Sequence, residues 1–117
     1  MPRLSEKSCA ACRGVVQALA ESAQQSLLQE VNGWEIEENH HLAKAWKFKD
    51  FKSALTFVNK IGRIAEQESH HPNISFTWGK VRIELWTHAV NGLTENDFIL
   101  AAKIDEISSA LSQKIDL

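Results

Sequence analysis

The sequence predicts a single α+β domain in the order α-β-β-α-β-β-α, a four-stranded antiparallel sheet with helices packed on one face. Three observations predict it. Residues 51–68 and 95–115 carry apolar side chains at helical spacing. Residues 34–48 and 73–87 alternate apolar and polar side chains around short turn signals, the pattern of two hairpins. A run of good helix formers precedes the first hairpin.

The 117 residues suffice for one core and leave a small surface that favours self-association. A hydrophobic fraction of 44% with 24% charged residues is that of an ordinary soluble globule. The formal net charge of −2 gives no electrostatic reason to expect nucleic acid or an anionic membrane as partner. No apolar run is long enough to span a bilayer, and residues 1–20 lack a signal peptide's apolar core. A cytoplasmic protein is expected.

Residues 1–14 have no periodicity and read as an N-terminal arm of uncertain order, leaving 15–117 as the domain. The arm holds the two cysteines, Cys9 and Cys12, in a C-x-x-C. No second pair and no preceding strand supply a metal or thioredoxin-like context, so reduced thiols without a catalytic role are expected.

Residues 15–31 are rich in Ala, Leu, Gln and Glu and predict one helix or two short ones, with Leu27, Leu28 and Val31 as the later apolar face. Asn32-Gly33 is the stop. Trp34 and Ile36 alternate with acidic residues, a half-buried strand. Glu38-Asn39-His40-His41 reads as a tight turn into a strand whose Leu42, Trp46 and Phe48 share one face. His40 and His41 are therefore expected at an exposed tip, where replacing His40 should be silent.

Asp50 is a fitting N-cap for the next helix. Phe51, Ala54, Leu55, Val58, Ile61 and Ala65 mark its apolar face, and Lys52, Lys60 and Arg63 the other. Ile74, Phe76 and Trp78 share a face of the third strand, so Trp78 is expected to pack. After Gly79-Lys80, Val81, Ile83 and Leu85 face one way, while Arg82, Glu84, Trp86 and His88 face an open sheet surface. Thr94-Glu95-Asn96-Asp97 resembles a capping box, followed by a stripe of Leu100, Ile104, Ile107, Leu111 and Ile115 that Phe98, Ala101 and Ala102 widen.

The chemistry gathers at Glu66-Gln67-Glu68-Ser69-His70-His71-Pro72. Pro72 biases His71 away from helical geometry, so two imidazoles sit where a helix turns into a strand. His88, at the end of the 81–87 run, can approach them. Three groups that titrate near neutral pH beside a carboxylate suit acid–base work on a flat heteroaromatic substrate. Two plainer readings compete: histidines that meet a helix's last carbonyls, and a zinc site of His70, His71, His88 and Glu66. Neither a His-x-x-x-His nor a His-x-His spacing supports the metal.

The set Glu66, His70-His71-Pro72, Trp78, His88 and Asp97 resembles the pattern of the pterin-4a-carbinolamine dehydratase family. Trp34 after Asn32-Gly33, and Phe48-Lys49-Asp50-Phe51, resemble further positions of it, so the likeness spans roughly residues 19–107. The resemblance implies the same α+β fold and dehydration of a 4a-hydroxytetrahydropterin to quinonoid dihydropterin, in the recycling of pterin for aromatic amino acid hydroxylases. It implies His70, His71 and His88 as the acid–base set and Glu66, Thr87 and Asp97 as substrate-binding residues. Neither metal nor organic cofactor is expected, and a homodimer or homotetramer is. The capping box is an alternative main role for Asp97, and orienting His70 an alternative for Glu66. The family's animal members also serve as dimerisation cofactors of a homeodomain transcription factor, so a protein-binding scaffold is the competing class of function.

Overall fold

The computed structural model describes residues 4–6 and 18–115, with side chains through residue 109. The Cys9/Cys12 pair lies outside the described residues. The elements are α1 (Glu21–Leu28), β1 (Glu35–Glu37), β2 (His41–Lys47), α2 (Phe51–Glu68), β3 (Asn73–Thr77), β4 (Lys80–Leu85) and α3 (Glu95–Ile115). All strand pairs are antiparallel, in the spatial order β1-β2-β4-β3. The predicted fold class and element order are those observed.

Register explains which sheet face the helices cover. Leu42 pairs with Leu85, Trp46 with Val81 and Ile74 with Ile83, so these side chains share one face. Ala54, Phe57 and Ile61 of α2 and Phe98, Leu100, Ala101 and Ile104 of α3 close over it in one core. Phe57 and Phe98 are fully buried, each contributing about 1.5–3 kcal/mol by leaving water. The opposite face carries Glu37, His41, Arg82, Glu84 and Asn73, a polar surface.

Several local expectations change. In α2 the buried residues are Ala54, Phe57, Ile61 and Ala65, whereas Phe51 and Leu55 are exposed. The apolar stripe is wider than the face the sheet covers, and Phe57 lies nearer its middle. Trp78 does not pack with Ile74 and Phe76. It is 71% exposed, because the hairpin turns there, ahead of Gly79. Gly79 has φ 75°, and a Cβ on it would meet the Phe48 carbonyl oxygen at 2.9 Å, so the position needs glycine.

The exposed-tip expectation for His40 and His41 is also corrected. Glu38 and Asn39 take the positive φ values, 55° and 52°, so the bend comes earlier. His41 already lies in β2 opposite Glu37 and is buried, and His40 is half-buried beside it. Within the N-terminal arm, Leu4–Glu6 form a 3-10 turn against α3: Leu4 is buried in the core, and Lys103 Nζ donates to the Ser5 carbonyl at 2.8 Å.

Candidate active site

Helix α2 ends where the site begins. Asp50 caps its start, accepting from the Ser53 N–H at 2.8 Å. That hydrogen bond is the main reason its carboxyl titrates below the usual carboxylate range. At the other end Ser69 adopts the left-handed conformation, φ 54°, and the His70 N–H returns to the Ala65 carbonyl at 3.1 Å. This reversal sends the two neighbouring imidazoles to different environments. His70 turns inward and is 7% exposed, while His71 stays at the surface.

His70 Nε2 lies 2.6 Å from Asp97 Oδ1. The other carboxylate oxygen, Oδ2, accepts from Thr87 Oγ1 and from the Thr94 N–H, both at 2.9 Å. Thr87 and Thr94 hydroxyls are themselves 2.8 Å apart. Asp97 is fully buried and so does not reach the cleft surface. A carboxylate opposite Nε2 holds the ring with hydrogen on that nitrogen, which leaves Nδ1 as the basic position of a neutral imidazole.

Glu66 is expected to contact the substrate, with orienting His70 as its alternative role. It pairs instead with His71, Oε2 to Nε2 at 2.5 Å, and both side chains are largely exposed. The αL residue Ser69 shifts the partner by one position along the chain. Asp97 of α3 supplies the orienting carboxylate for His70.

Strand β4 stops at Leu85, because Thr87 turns back to pair with Gly92. His88 therefore opens a 3-10 turn (His88–Val90) rather than continuing the open sheet face, as the alternation had predicted. Its exposed ring packs on Trp86 with centroids 4.7 Å apart. A cleft of about 380 Å³ is lined by Ser69, His70, His71, Trp86, Thr87, His88 and Ala89. The structure thus brings His70, His71, His88 and Thr87 to one cleft, with Glu66 and Asp97 each behind a histidine. A larger hollow of about 500 Å³, between Leu4–Ser5 and α3, has no histidine in its lining and carries no comparable chemistry.

Trp86 is the lining residue that sequence reasoning passed over. Its signal was the alternation that set it on the polar face of β4 beside Arg82 and Glu84. Among the described residues, the ligand-competent cluster is Glu37, His41 and Glu84, outside the cleft. Arg82 Nη2 bridges its two carboxylates, at 2.8 Å from Glu37 and 3.3 Å from Glu84, so a cation already occupies it.

A model of the family described as pterin 4 alpha carbinolamine dehydratase matches residues 17–107. A Rubrobacter xylanophilus protein provisionally named pterin-4-alpha-carbinolamine dehydratase is 43% identical over 107 residues, covering 92% of this chain and 100% of the relative. A Rickettsia canadensis protein with the same provisional name is 54% identical over 106 residues, covering 90% and 97%. A crystal structure described as a transcriptional coactivator/pterin dehydratase from Brucella melitensis superposes with a TM-score of 0.74 at 33% identity. That match covers 78% of this chain and 98% of the other.

Proposed function

The chain belongs to the pterin-4a-carbinolamine dehydratase family, and on that premise we propose that it dehydrates a 4a-hydroxytetrahydropterin to quinonoid dihydropterin and water. The C4a–O bond breaks as an acid protonates the departing hydroxyl. The N5 lone pair forms the C4a=N5 bond, and a base removes the N5 proton. Imidazoles suit both transfers near neutral pH, and such catalysis contributes about 10²–10⁴-fold.

The observation that carries this reading is the placement of three imidazoles around one cleft, two of them each held by a carboxylate. His70, His71 and His88 form the acid–base set. Asp97 positions His70, Glu66 positions His71, and the Thr87 hydroxyl, which lines the cleft while bonded to Asp97, offers a substrate contact. Trp86 supplies a flat wall for a pterin ring.

The test is the initial rate of conversion of freshly generated 4a-hydroxytetrahydropterin by the purified protein. A rate equal to the uncatalysed one would reject the reading. On the same reading the protein works in the cytoplasm beside a hydroxylase that produces the carbinolamine. It also associates with itself, so light scattering should return at least twice the chain mass of 13.2 kDa. A second reading, a protein-binding scaffold, draws on the coactivator description of the Brucella melitensis protein and on the exposed Phe51 and Leu55 of α2. A scaffold would bind its partner without turning over the carbinolamine, so turnover by the wild-type protein that falls in folded His71→Ala and His88→Ala variants separates the two.

A further inference from the structure

A row of side chains joins the first hairpin to the turn that carries His88. His41 Nε2 lies 3.1 Å from Glu37 Oε1, the two Nδ1 atoms of His40 and His41 lie 3.1 Å apart, and His40 Nε2 lies 3.0 Å from Asn91 Oδ1. Asn91 closes the 88–90 turn in the left-handed conformation, φ 49°, with its N–H on the His88 carbonyl at 3.1 Å. Trp86 touches His40 with ring centroids 5.3 Å apart, His41 at 6.0 Å and His88 at 4.7 Å. His40 thus contacts both Trp86, on the cleft wall, and Asn91, just beyond His88.

The donors in this row are fixed by their partners. A carbonyl oxygen and a carboxylate only accept, so His40 donates to Asn91 from Nε2 and His41 donates to Glu37 from Nε2. Each ring is thus held at Nε2 by its own partner, and the contact between the two Nδ1 atoms is a hydrogen bond only with a further proton on one of them. His41 is anchored further by its position in β2 and by Glu84, 3.5 Å away, within the Glu37–Arg82–Glu84 network. The 88–91 turn is exposed at His88, Ala89 and Asn91, and its own backbone bonds do not tie it to the sheet beyond Thr87 and Gly92.

We propose that His40 is a positioning residue of the cleft: through Asn91 and Trp86 it holds the turn at the angle from which His88 and the indole face the substrate. The proposal rests on the acid–base reading of His88 given above. His40 lies outside the pattern of Glu66, His70-His71-Pro72, Trp78, His88 and Asp97.

Three variants of the full chain, compared at matched circular dichroism, test it. His40→Gln keeps an amide N–H near the place of Nε2. His40→Phe keeps the ring against Trp86 without either hydrogen bond. His40→Ala removes both. In His40→Ala, kcat should fall about tenfold with KM changed less than about threefold, since a slight misplacement of a catalytic group acts on the transition state. His40→Gln should recover most of that loss, and His40→Phe should fall between. Amide hydrogen exchange at Val90, Asn91 and Gly92 should quicken in His40→Ala and stay near wild type in His40→Gln. Wild-type kcat in His40→Ala, or unchanged exchange at those amides, would overturn the proposal. An inactive wild-type protein would instead overturn the acid–base reading, while the exchange data would still decide whether His40 grips the turn.

Discussion

Replacing Asp97 with asparagine should damage stability and turnover together, because one buried carboxylate serves three donors. Oδ1 meets His70 Nε2 at 2.6 Å, and Oδ2 receives Thr87 Oγ1 and the Thr94 N–H at 2.9 Å each. An asparagine can keep one oxygen on Thr87 and Thr94. Its NH2 then faces the Nε2–H of His70, donor against donor, and the ring must move its hydrogen to Nδ1. A hydrogen bond to a charged group contributes about 1.5–3 kcal/mol, so a loss of roughly 2 kcal/mol is expected. For a domain near this size each kcal/mol shifts Tm by about 4–8 °C, which makes the expected drop on the order of 10 °C. The reversed tautomer should lower kcat by roughly 10²-fold, the low end of what a general acid or base supplies.

Asp97→Ala is a poorer probe, since it orphans all three donors at about 1–3 kcal/mol each against a total stability of about 5–15 kcal/mol. Thr94→Ala is the control. It removes the hydroxyl pair with Thr87 at 2.8 Å but leaves the backbone N–H on Asp97, at about 0.5–1.5 kcal/mol and little change in turnover. Urea denaturation and initial dehydration rates measure both effects, and His70→Ala with Asp97→Asn completes a double-mutant cycle. Additive losses in that cycle, or an Asp97→Asn midpoint equal to wild type, would refute the reasoning.

Other expectations are narrower. His71→Ala and His88→Ala should each lower turnover substantially, and the double variant should lose less than the product of the two factors, because acid and base act in one transition state; wild-type rates in both single variants would remove them from the mechanism. Glu84 titrates below its usual range chiefly because Asn73 Nδ2 donates to it at 3.0 Å. A depressed carboxyl pKa gives stability that is present above the unfolded value and lost as pH falls through the folded one. Asn73→Ala should therefore cost about half a kcal/mol near pH 7, after allowance for solvent screening, and the cost should shrink as pH falls below the ordinary carboxylate value of 4.5, as read from urea midpoints across pH. Protein stripped by a chelator and shown metal-free by elemental analysis should keep its dehydratase rate; activity lost and restored by zinc would reinstate the metal reading. A Cys9→Ser/Cys12→Ser protein should dehydrate normally, and a large loss with folding intact would give the C-x-x-C a role.

The parts of this molecule legible in the sequence are those set by neighbours in the chain. Asp50 announces the start of α2, and the alternation of 73–85 fixes which strand side chains face the core. The expected stop at Asn32-Gly33 falls four residues past the end of α1 at Leu28. Periodicity failed where phase or termination depends on partners distant in sequence. Phe57 rather than Phe51 faces the sheet because packing selects a narrower face than the stripe offers. His88 left the predicted face because Thr87 pairs with Gly92, which no alternation encodes. The His70–Asp97 contact joins the end of one helix to the start of another, 27 residues apart, so the chain itself carries no local sign of it.

Asp97 shows why two sequence readings that looked like rivals were compatible. As the third residue of α3 it completes the cap predicted from Thr94, with Oδ2 on the Thr94 N–H. The other oxygen remains for His70. A carboxylate has two oxygens and about four lone-pair sites, so satisfying a helix terminus does not exhaust it. The cap fixes where Oδ1 points, and Oδ1 fixes the tautomer of the buried imidazole. The geometry of the site is therefore inherited from the start of a helix, and a substitution at residue 97 that loses the cap also loses the orientation of Oδ1 toward His70.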